Sequence, residues 1–220
     1  MKMNDAKTQL LCVSTAINYQ VRASIDMAGG TLVSGDTLKV VGFTFGRRPG
    51  AGEHVVALRK KYGARAYIIR HLKKINTPAD LLVRVYTAFI RPIFDYAAPA
   101  YHTILTDDQA EKLEKMQRSS LKTIFGLETP YQECLELAGL QTLRERRQTL
   151  FENFARKAYG DPFFGGRWFE EKQRCNYGLR HENKVVQHFA NRDRLLNAPI
   201  YRYRRHINDE DKKNKLQKRT

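Results

Sequence analysis

The chain has few cysteines, and they lie far apart. Only three occur among 220 residues, at Cys12, Cys134 and Cys175. An odd number of widely separated cysteines does not build the disulfide framework of small secreted domains. Long apolar runs are also missing, since none approaches the ~20 residues that cross a bilayer. The N-terminal segment lacks the apolar stretch of a secretory signal. We therefore expect an intracellular chain, in the nucleus or cytoplasm, with no membrane partner.

The chain has fewer acidic than basic residues. Lys and Arg total 39 against 23 Asp and Glu, which gives a formal net charge of +16. An excess of this size favours a polyanionic partner, because cations that neutralise phosphates release the counterions held there. This balance indicates RNA or DNA rather than a small-molecule substrate. A soluble basic protein without such a partner remains the alternative.

The residues that usually hold metals are sparse. Cys175, His181 and His188 suggest zinc, but a structural zinc site takes four closely paired ligands and only one cysteine lies here. The pair Asp107–Asp108 follows Thr106 at the predicted start of a helix, where carboxylates complement the free amides. We therefore predict no metal site in this chain.

The first quarter of the chain reads as strands. β-branched, aromatic and aliphatic residues are enriched in four short segments, and Gly-rich turns separate them. With no helix between them, they predict an antiparallel meander within residues 1–46, followed by a linker at 47–52. The predicted strands are Leu10–Ser14, Tyr19–Met27, Thr31–Val33 and Leu38–Phe45.

From Glu53 onward the apolar spacing is helical. Capping patterns predict helix starts at Thr77, Thr106 and Thr142, and Pro92 should kink or end the second helix. A short helix is predicted around residues 132–138, and the helix after Thr142 should reach about Tyr159. Residues 161–220 lose this periodicity. Their last twenty residues are so basic that we predict weak structure there, at most a helix formed on contact with an anion.

Five segments together resemble a known family. They are the predicted helical segment Val85–Pro99 (VYTAFIRPIFDYAAP), the helix Leu113–Gly126, the segment Leu135–Arg147, the N-terminal Asn4–Thr8, and Leu38–Phe43 (LKVVGF). In this order and wording they are similar to the end of the palm and the thumb of reverse transcriptases from non-LTR (LINE-type) retrotransposons. The resemblance implies an α+β, mainly α fold: a small antiparallel β meander, a helical thumb-like bundle at 53–160, and a basic, weakly structured extension at 161–220.

The resemblance also implies a role. The thumb grips template and primer, and its partners would be RNA or DNA, above all an RNA–DNA duplex, together with the missing palm and fingers. The family's metal-binding aspartates lie upstream of the thumb and have no counterpart here. The resemblance therefore implies no catalytic residues and no cofactor in this chain, and divalent metal belongs to the complete polymerase only. The alternative is a helical interaction module, or an inert mobile-element relic, with no nucleic-acid role.

Two sets of candidate site residues follow. Basic residues at helical spacing could follow a phosphate backbone, although they could equally form a solvated face. Gly42 in a primer-grip-like hairpin could let a primer strand approach, although it could also be a glycine in an ordinary bulge. The candidate nucleic-acid-binding residues are Arg59, Arg70, Lys74, Lys115, Arg118, Lys122, Arg146 and Arg147, and the primer-grip-like residues are Val41, Gly42 and Phe43.

Overall fold

The structure, a computed structural model, describes residues 8–15, 22–27, 30–171, 183–187 and 193–217. The fold is mainly α with a small N-terminal β part, as predicted. The chain divides into two compact units: unit 1 comprises Met1–Phe94 and Leu105–Gly139, and unit 2 comprises Asp95–Ile104 and Leu140–Thr220. Among the described residues, no helix combines the length and apolar content needed to cross a bilayer.

The described strands form two hairpins. Strand β1 (Ser24–Met27) pairs antiparallel with β2 (Gly30–Val33), and β3 (Thr37–Val40) pairs antiparallel with β4 (Phe43–Gly46). The second hairpin turns through Val41 and Gly42, which both have positive φ. Its strand β4 packs on the first helix through the buried Phe43, whose ring stacks on His54 at 4.3 Å between centroids.

The predicted four-stranded meander is wrong. The two hairpins form separate sheets, because the residues between β2 and β3 bond elsewhere. The Gly35 amide donates to Leu10, and Arg47 pairs with Asp36 at 2.8 Å. Residues 10–14 are not a strand, since among the described residues they contribute only an isolated bridge between Leu11 and Gly35. The start of the strand predicted at 19–27 lies outside the described residues.

Ten α-helices account for most of the rest of the described chain, with a π-helical segment at Tyr86–Ile90 and a 3₁₀ turn at His102–Ile104. The helices are α1 (Gly52–Lys74), α2 (Ala79–Val85), α3 (Arg91–Asp95), α4 (Ala98–Tyr101), α5 (Asp107–Phe125), α6 (Tyr131–Ala138), α7 (Leu143–Gly160), α8 (Pro162–Trp168), α9 (Asp193–Leu196) and α10 (Pro199–Gln217).

Two of the three predicted helix caps are confirmed. Thr106 caps α5 and Thr142 caps α7, each in a reciprocal box with the residue three positions later. Asp107 and Asp108 occupy the first turn of α5, as the capping interpretation required. The cap predicted at Thr77 is wrong. Pro78 is the N-cap of α2, and the Thr77 amide instead donates to Leu72 in the turn that ends α1.

The helix is irregular in the turn before Pro92, where the sequence predicted a kink or an end. Proline cannot donate to the carbonyl four residues earlier, and its ring would clash with that carbonyl. The backbone widens through the π segment Tyr86–Ile90, and the Arg91 amide donates to Tyr86, five residues earlier. A π segment of this kind accommodates the missing bond without ending the helix. The helix continues as α3 to Asp95.

A chain of hydrogen bonds between side chains joins three helical segments inside unit 1. The Tyr86 hydroxyl donates to Oε1 of Gln117 at 2.6 Å, and Nε2 of Gln117 donates to the Tyr131 hydroxyl at 3.0 Å. The Tyr131 hydroxyl in turn donates to the Glu114 carboxylate. Burial raises the pKa of both phenols. The chain fixes α6 and the π segment against α5.

Unit 2 has an aromatic core between α7, α8 and α10. Phe151 stacks on Tyr203 at 4.7 Å, and Trp168 lies parallel to Tyr203 with 5° between the ring planes. The Tyr203 hydroxyl donates to the Pro99 carbonyl at 2.8 Å. Phe164 packs on Trp168, whereas Phe163 is exposed beneath Arg167. These aromatic rings anchor the C-terminal part of unit 2.

The prediction of a weakly structured tail is wrong for residues 199–217. These residues form α10, which buries Tyr203, Ile207 and Asn208 against unit 2. The Asn208 side chain accepts from the Val185 amide at 2.8 Å and donates to the Val185 carbonyl at 3.1 Å. Two apolar residues four positions apart and one asparagine thus hold a helix whose other residues are mostly charged.

The predicted domain boundaries also differ from the compact units. We predicted one helical bundle at 53–160 and a separate extension at 161–220. Instead, α7 belongs with α8 and α10 in unit 2, because its buried face, which includes Phe151 and Ala155, packs in the aromatic core there. Helices α1, α5 and α6 belong to unit 1.

Candidate nucleic-acid interface

Helices α1 and α5 lie side by side and run in the same direction. Gly52 at the start of α1 lies beside the amide of Gln109 at the start of α5. About three turns further along, the Tyr62 hydroxyl is 3.1 Å from Oγ of Ser120. At the far end, the Lys73 ammonium donates to the Ile124 carbonyl at 2.8 Å. These three contacts fix the register of the pair.

Two clefts lie along this helix pair. The larger, of about 620 Å³, begins at the amino ends of both helices and has Val55 and Met116 among its apolar lining. The smaller, of about 180 Å³, continues toward the carboxyl ends beside Gly63. Tyr62 and Ser119 line both. The two clefts therefore form one surface, which we call the α1–α5 groove.

Three of the predicted cations line this groove. Arg59 and Lys115 lie at the larger cleft and Arg70 at the smaller one, and all three side chains are exposed. None of the three makes an ion pair with any residue that the structure describes. Arg59 and Arg70 are eleven residues apart on α1, or about 16 Å at 1.5 Å per residue. One strand of a duplex carries about five phosphates over that length.

Sequence reasoning missed several groove residues. Lys112 also lines the larger cleft, but it is paired with Asp108 at 2.7 Å. Small side chains border the smaller cleft, namely Gly63, Ala66, Ser119 and Thr123. No local pattern marks these residues, because they come together only through the parallel contact of α1 with α5.

Three predicted cations of unit 1 lie outside the groove lining. Lys74 is exposed at the end of α1. Arg118 pairs with Glu111 at 3.4 Å and lies over the Tyr131 ring at 5.0 Å. Lys122 donates to the Leu127 carbonyl at 2.9 Å. The contacts of Arg118 and Lys122 indicate that these two side chains stabilise α5 and the loop after it.

The two predicted arginines of α7 belong to unit 2 and have structural contacts there. Arg146 forms a two-pronged ion pair with Asp95, with Nη2–Oδ2 at 3.1 Å and Nε–Oδ2 at 3.3 Å. Arg147 is only 1% exposed. The prediction that Arg147 contacts nucleic acid is therefore wrong, because its guanidinium group lies in the interior and not on a phosphate-accessible surface.

The primer-grip-like residues divide between surface and core. Val41 is 83% exposed at the tip of the second hairpin, with φ of 46°, and Gly42 follows it with φ of 81°. Phe43 is buried against His54, so it cannot contact a primer at the surface. The role proposed for Val41 and Gly42 stays a prediction.

The possible metal ligands give no described site. Cys175, His181 and His188 lie outside the described residues, and within the described ranges no three His, Cys, Asp or Glu side chains group as metal ligands do.

The chain has no match among known proteins in our comparisons: no protein-family model, no curated protein and no solved structure matches it.

Proposed function

We propose that unit 1 binds the sugar–phosphate backbone of a nucleic acid along the α1–α5 groove. The observation that carries this proposal is the position of Arg59, Arg70 and Lys115 on one surface, without an acidic partner among the described residues. Exposed cations that are already ion-paired gain little from a phosphate, whereas these three would each displace counterions from it. Contacts of this kind position a strand without reading its sequence.

Charge on α1 supports the same surface. The helix carries seven Lys and Arg residues and a single acidic residue, Glu53. The groove is also bordered by small side chains, so a strand can approach the helix backbone closely. Among the possible polyanions we favour an RNA–DNA duplex, because the sequence resembles a reverse-transcriptase thumb in the segments that form α2, α3 and α5. In that role the chain acts inside the cell, in the nucleus or cytoplasm, beside a palm and fingers that supply the metal-binding aspartates.

The chain alone is proposed to have no polymerase activity, and it needs no cofactor for binding. The test is fluorescence anisotropy with a labelled RNA–DNA hybrid at several salt concentrations. A variant that combines Arg59→Gln, Arg70→Gln and Lys115→Gln should bind more weakly. Its slope of log K against log salt should be shallower by about three, since each lost phosphate contact removes about 0.9.

A control with the same change in net charge separates the groove from general basicity. Lys39, Lys157 and Lys213 are exposed cations on β3, α7 and α10. Substituting all three with glutamine should leave most of the affinity intact. Equal losses in the two triple variants would contradict a site at the groove, and a salt-independent affinity would contradict phosphate binding altogether.

Exposed apolar side chains on unit 1 support the alternative of an interaction module. Tyr67, Ile75 and Phe89 are 61%, 65% and 57% exposed. Failure to bind the hybrid, together with self-association in analytical ultracentrifugation that a Tyr67→Ser, Phe89→Ser variant abolishes, would favour this alternative.

A further inference from the structure

A second polar cluster lies in unit 2 and includes no residue of the groove. It centres on His102, in the 3₁₀ turn that packs between α7 and α10. Nε2 of His102 is 2.8 Å from Oε1 of Gln148, and Nε2 of Gln148 donates to Glu152 at 2.6 Å. The bond to Glu152 fixes the orientation of the amide, so Nε2 of His102 is the donor to Gln148.

The other polar atoms of the turn are left without partners. Nδ1 of His102 and Oγ1 of Thr103 are both buried, and neither has a hydrogen-bond partner among the described residues. Buried polar atoms are normally paired with protein, water or a ligand. The Thr103 hydroxyl can therefore donate to a further polar group at this turn. In the tautomer that donates to Gln148, Nδ1 of His102 is an acceptor, and it becomes a second donor only when the ring is protonated.

Arginines from two helices flank the turn. Arg144 precedes Gln148 by one turn of α7, so the two side chains are neighbours on one helix face. Arg202 precedes His206 by one turn of α10, and the rings of His206 and His102 lie 6.3 and 5.8 Å from the ring of Phe151. Arg202 makes no ion pair with a described residue. The buried Arg147 lies one residue before Gln148.

The electrostatics agree with this geometry. Burial lowers the pKa of His102. The hydrogen bond to Gln148 raises this pKa, whereas the charges of Arg147, Arg202 and Arg144 lower it further. Three guanidinium groups thus raise the positive potential at one half-buried imidazole. An anion bound between them would offset that potential and could accept hydrogen bonds from the guanidinium groups.

We propose that the surface beside His102, between Arg144 of α7 and Arg202 of α10, binds a phosphate group. Guanidinium groups suit this ligand because their planar donors match two phosphate oxygens at once. Two arginines on separate helices can engage different oxygens of the same group. The site shares no residue with the α1–α5 groove, and the proposal does not depend on what the groove binds.

The test follows the His102 ring by NMR while inorganic phosphate is added to the full chain, with the signal assigned through a His102→Gln variant. Phosphate should shift the ring resonances saturably and raise the pKa of His102, since the anion offsets the neighbouring cations. Arg202→Gln and Arg144→Gln should each weaken phosphate binding about tenfold, the usual effect of losing one charge-assisted hydrogen bond. Arg205→Gln on the same helix should leave the affinity unchanged, because Arg205 pairs with Asp209 and is not part of the cluster.

A short single-stranded oligonucleotide, added in place of phosphate, identifies the source of the group. Saturation by inorganic phosphate indicates a free phosphate or a monoester, and a response to the oligonucleotide alone indicates the diester of a nucleic acid. The Arg59, Arg70 and Lys115 triple variant must keep either response. Loss of the response in that variant, no saturable response to either ligand, or equal affinity in the Arg202 and Arg205 variants would overturn the proposal, whatever the groove binds.

Discussion

The hydroxyl of Tyr86 donates a 2.6 Å hydrogen bond to the side-chain oxygen of Gln117, and both residues are almost completely buried. Tyr86 belongs to the π segment and Gln117 to α5, so the bond joins the π segment to the helix that forms one side of the groove. Because Gln117 also donates to Tyr131, a single amide bonds both the buried phenol of Tyr86 and the half-buried phenol of Tyr131. The position of the groove-bearing helix α5 therefore depends on a polar contact and not only on apolar packing.

Replacing that amide should destabilise unit 1. Gln117→Leu leaves the Tyr86 hydroxyl buried without its acceptor, which costs about 2–3 kcal/mol of unfolding free energy. Urea unfolding followed by circular dichroism measures the loss. Adding Tyr86→Phe to Gln117→Leu should restore part of it, because both partners of the bond are then absent. The control is Gln132→Leu on the exposed side of α6, which should change stability by less than about 0.5 kcal/mol.

Acid should weaken the attachment of the second hairpin to α1. Burial, with a smaller contribution from the charge of Lys61, lowers the pKa of His54 from 6.5 to about 4. Between these values the unfolded chain binds a proton that the folded chain does not. The contribution of the neutral His54 ring to the unfolding free energy is therefore fully present above pH 6.5 and is lost as the pH falls toward 4. Urea unfolding at several pH values should show a loss of the order of 1–2 kcal/mol across this window.

A His54→Phe variant should flatten that pH profile, since a phenyl ring can stack on Phe43 but binds no proton. His71→Phe, an exposed position further along the same helix, is the matched control and should keep the wild-type slope. A slope that survives His54→Phe would assign the acid sensitivity to other groups.

The Asn208 side chain should be needed for the stability of unit 2. Asn208→Ala removes both hydrogen bonds to Val185 and leaves a buried backbone amide and carbonyl unsatisfied, at a cost of about 2–3 kcal/mol. Asn208→Asp should not restore the stability, because its carboxylate accepts from the amide but would be buried as a charge against the Val185 carbonyl. Trp168 is the single tryptophan and packs in this unit, so its fluorescence reports unit 2 unfolding. Asn214→Ala, exposed on the same helix, should leave the transition unchanged.

The tip of the second hairpin should gain stability from a smaller or more flexible residue. A β-branched side chain is strained at positive φ, and Val41 has φ of 46°. Val41→Gly or Val41→Asn should therefore stabilise the chain by about 0.5–1 kcal/mol, as both residues suit this turn. Val40→Asn, one residue earlier in a strand, should not stabilise it. Thermal unfolding of the three variants distinguishes the two positions.

Local signals in the sequence predicted much of the helical fold. The capping boxes at Thr106 and Thr142 each involve two residues only three positions apart. The sequence pattern therefore predicts the hydrogen-bonded contact directly. The tail helix was not predictable in this way. Its buried face consists of Tyr203, Ile207 and Asn208, and it forms only because Phe151, some fifty residues earlier, offers an aromatic partner.

The candidate site was predictable only in part, for the same reason. Helical spacing placed Arg59, Arg70 and Lys115 on possible binding faces, but the direction in which α1 passes α5 decided which cations share a groove. Arg146 and Arg147 are adjacent in the chain, yet one pairs with Asp95 and the other is fully buried. Nothing in the run of residues around them distinguishes a surface arginine from an interior one.

The parallel course of α1 and α5 has an electrical consequence. The peptide dipoles of two neighbouring helices that point the same way reinforce each other, whereas an antiparallel pair would cancel. Both amino ends, with their partial positive charge, open onto the larger cleft near Arg59 and Lys115. The carboxyl ends lie at the opposite end, where Lys73 binds the last turn of α5. The backbone therefore sets up a potential gradient of its own along the groove, which the carboxylates of Glu53 and Asp108 partly offset where they line the larger cleft.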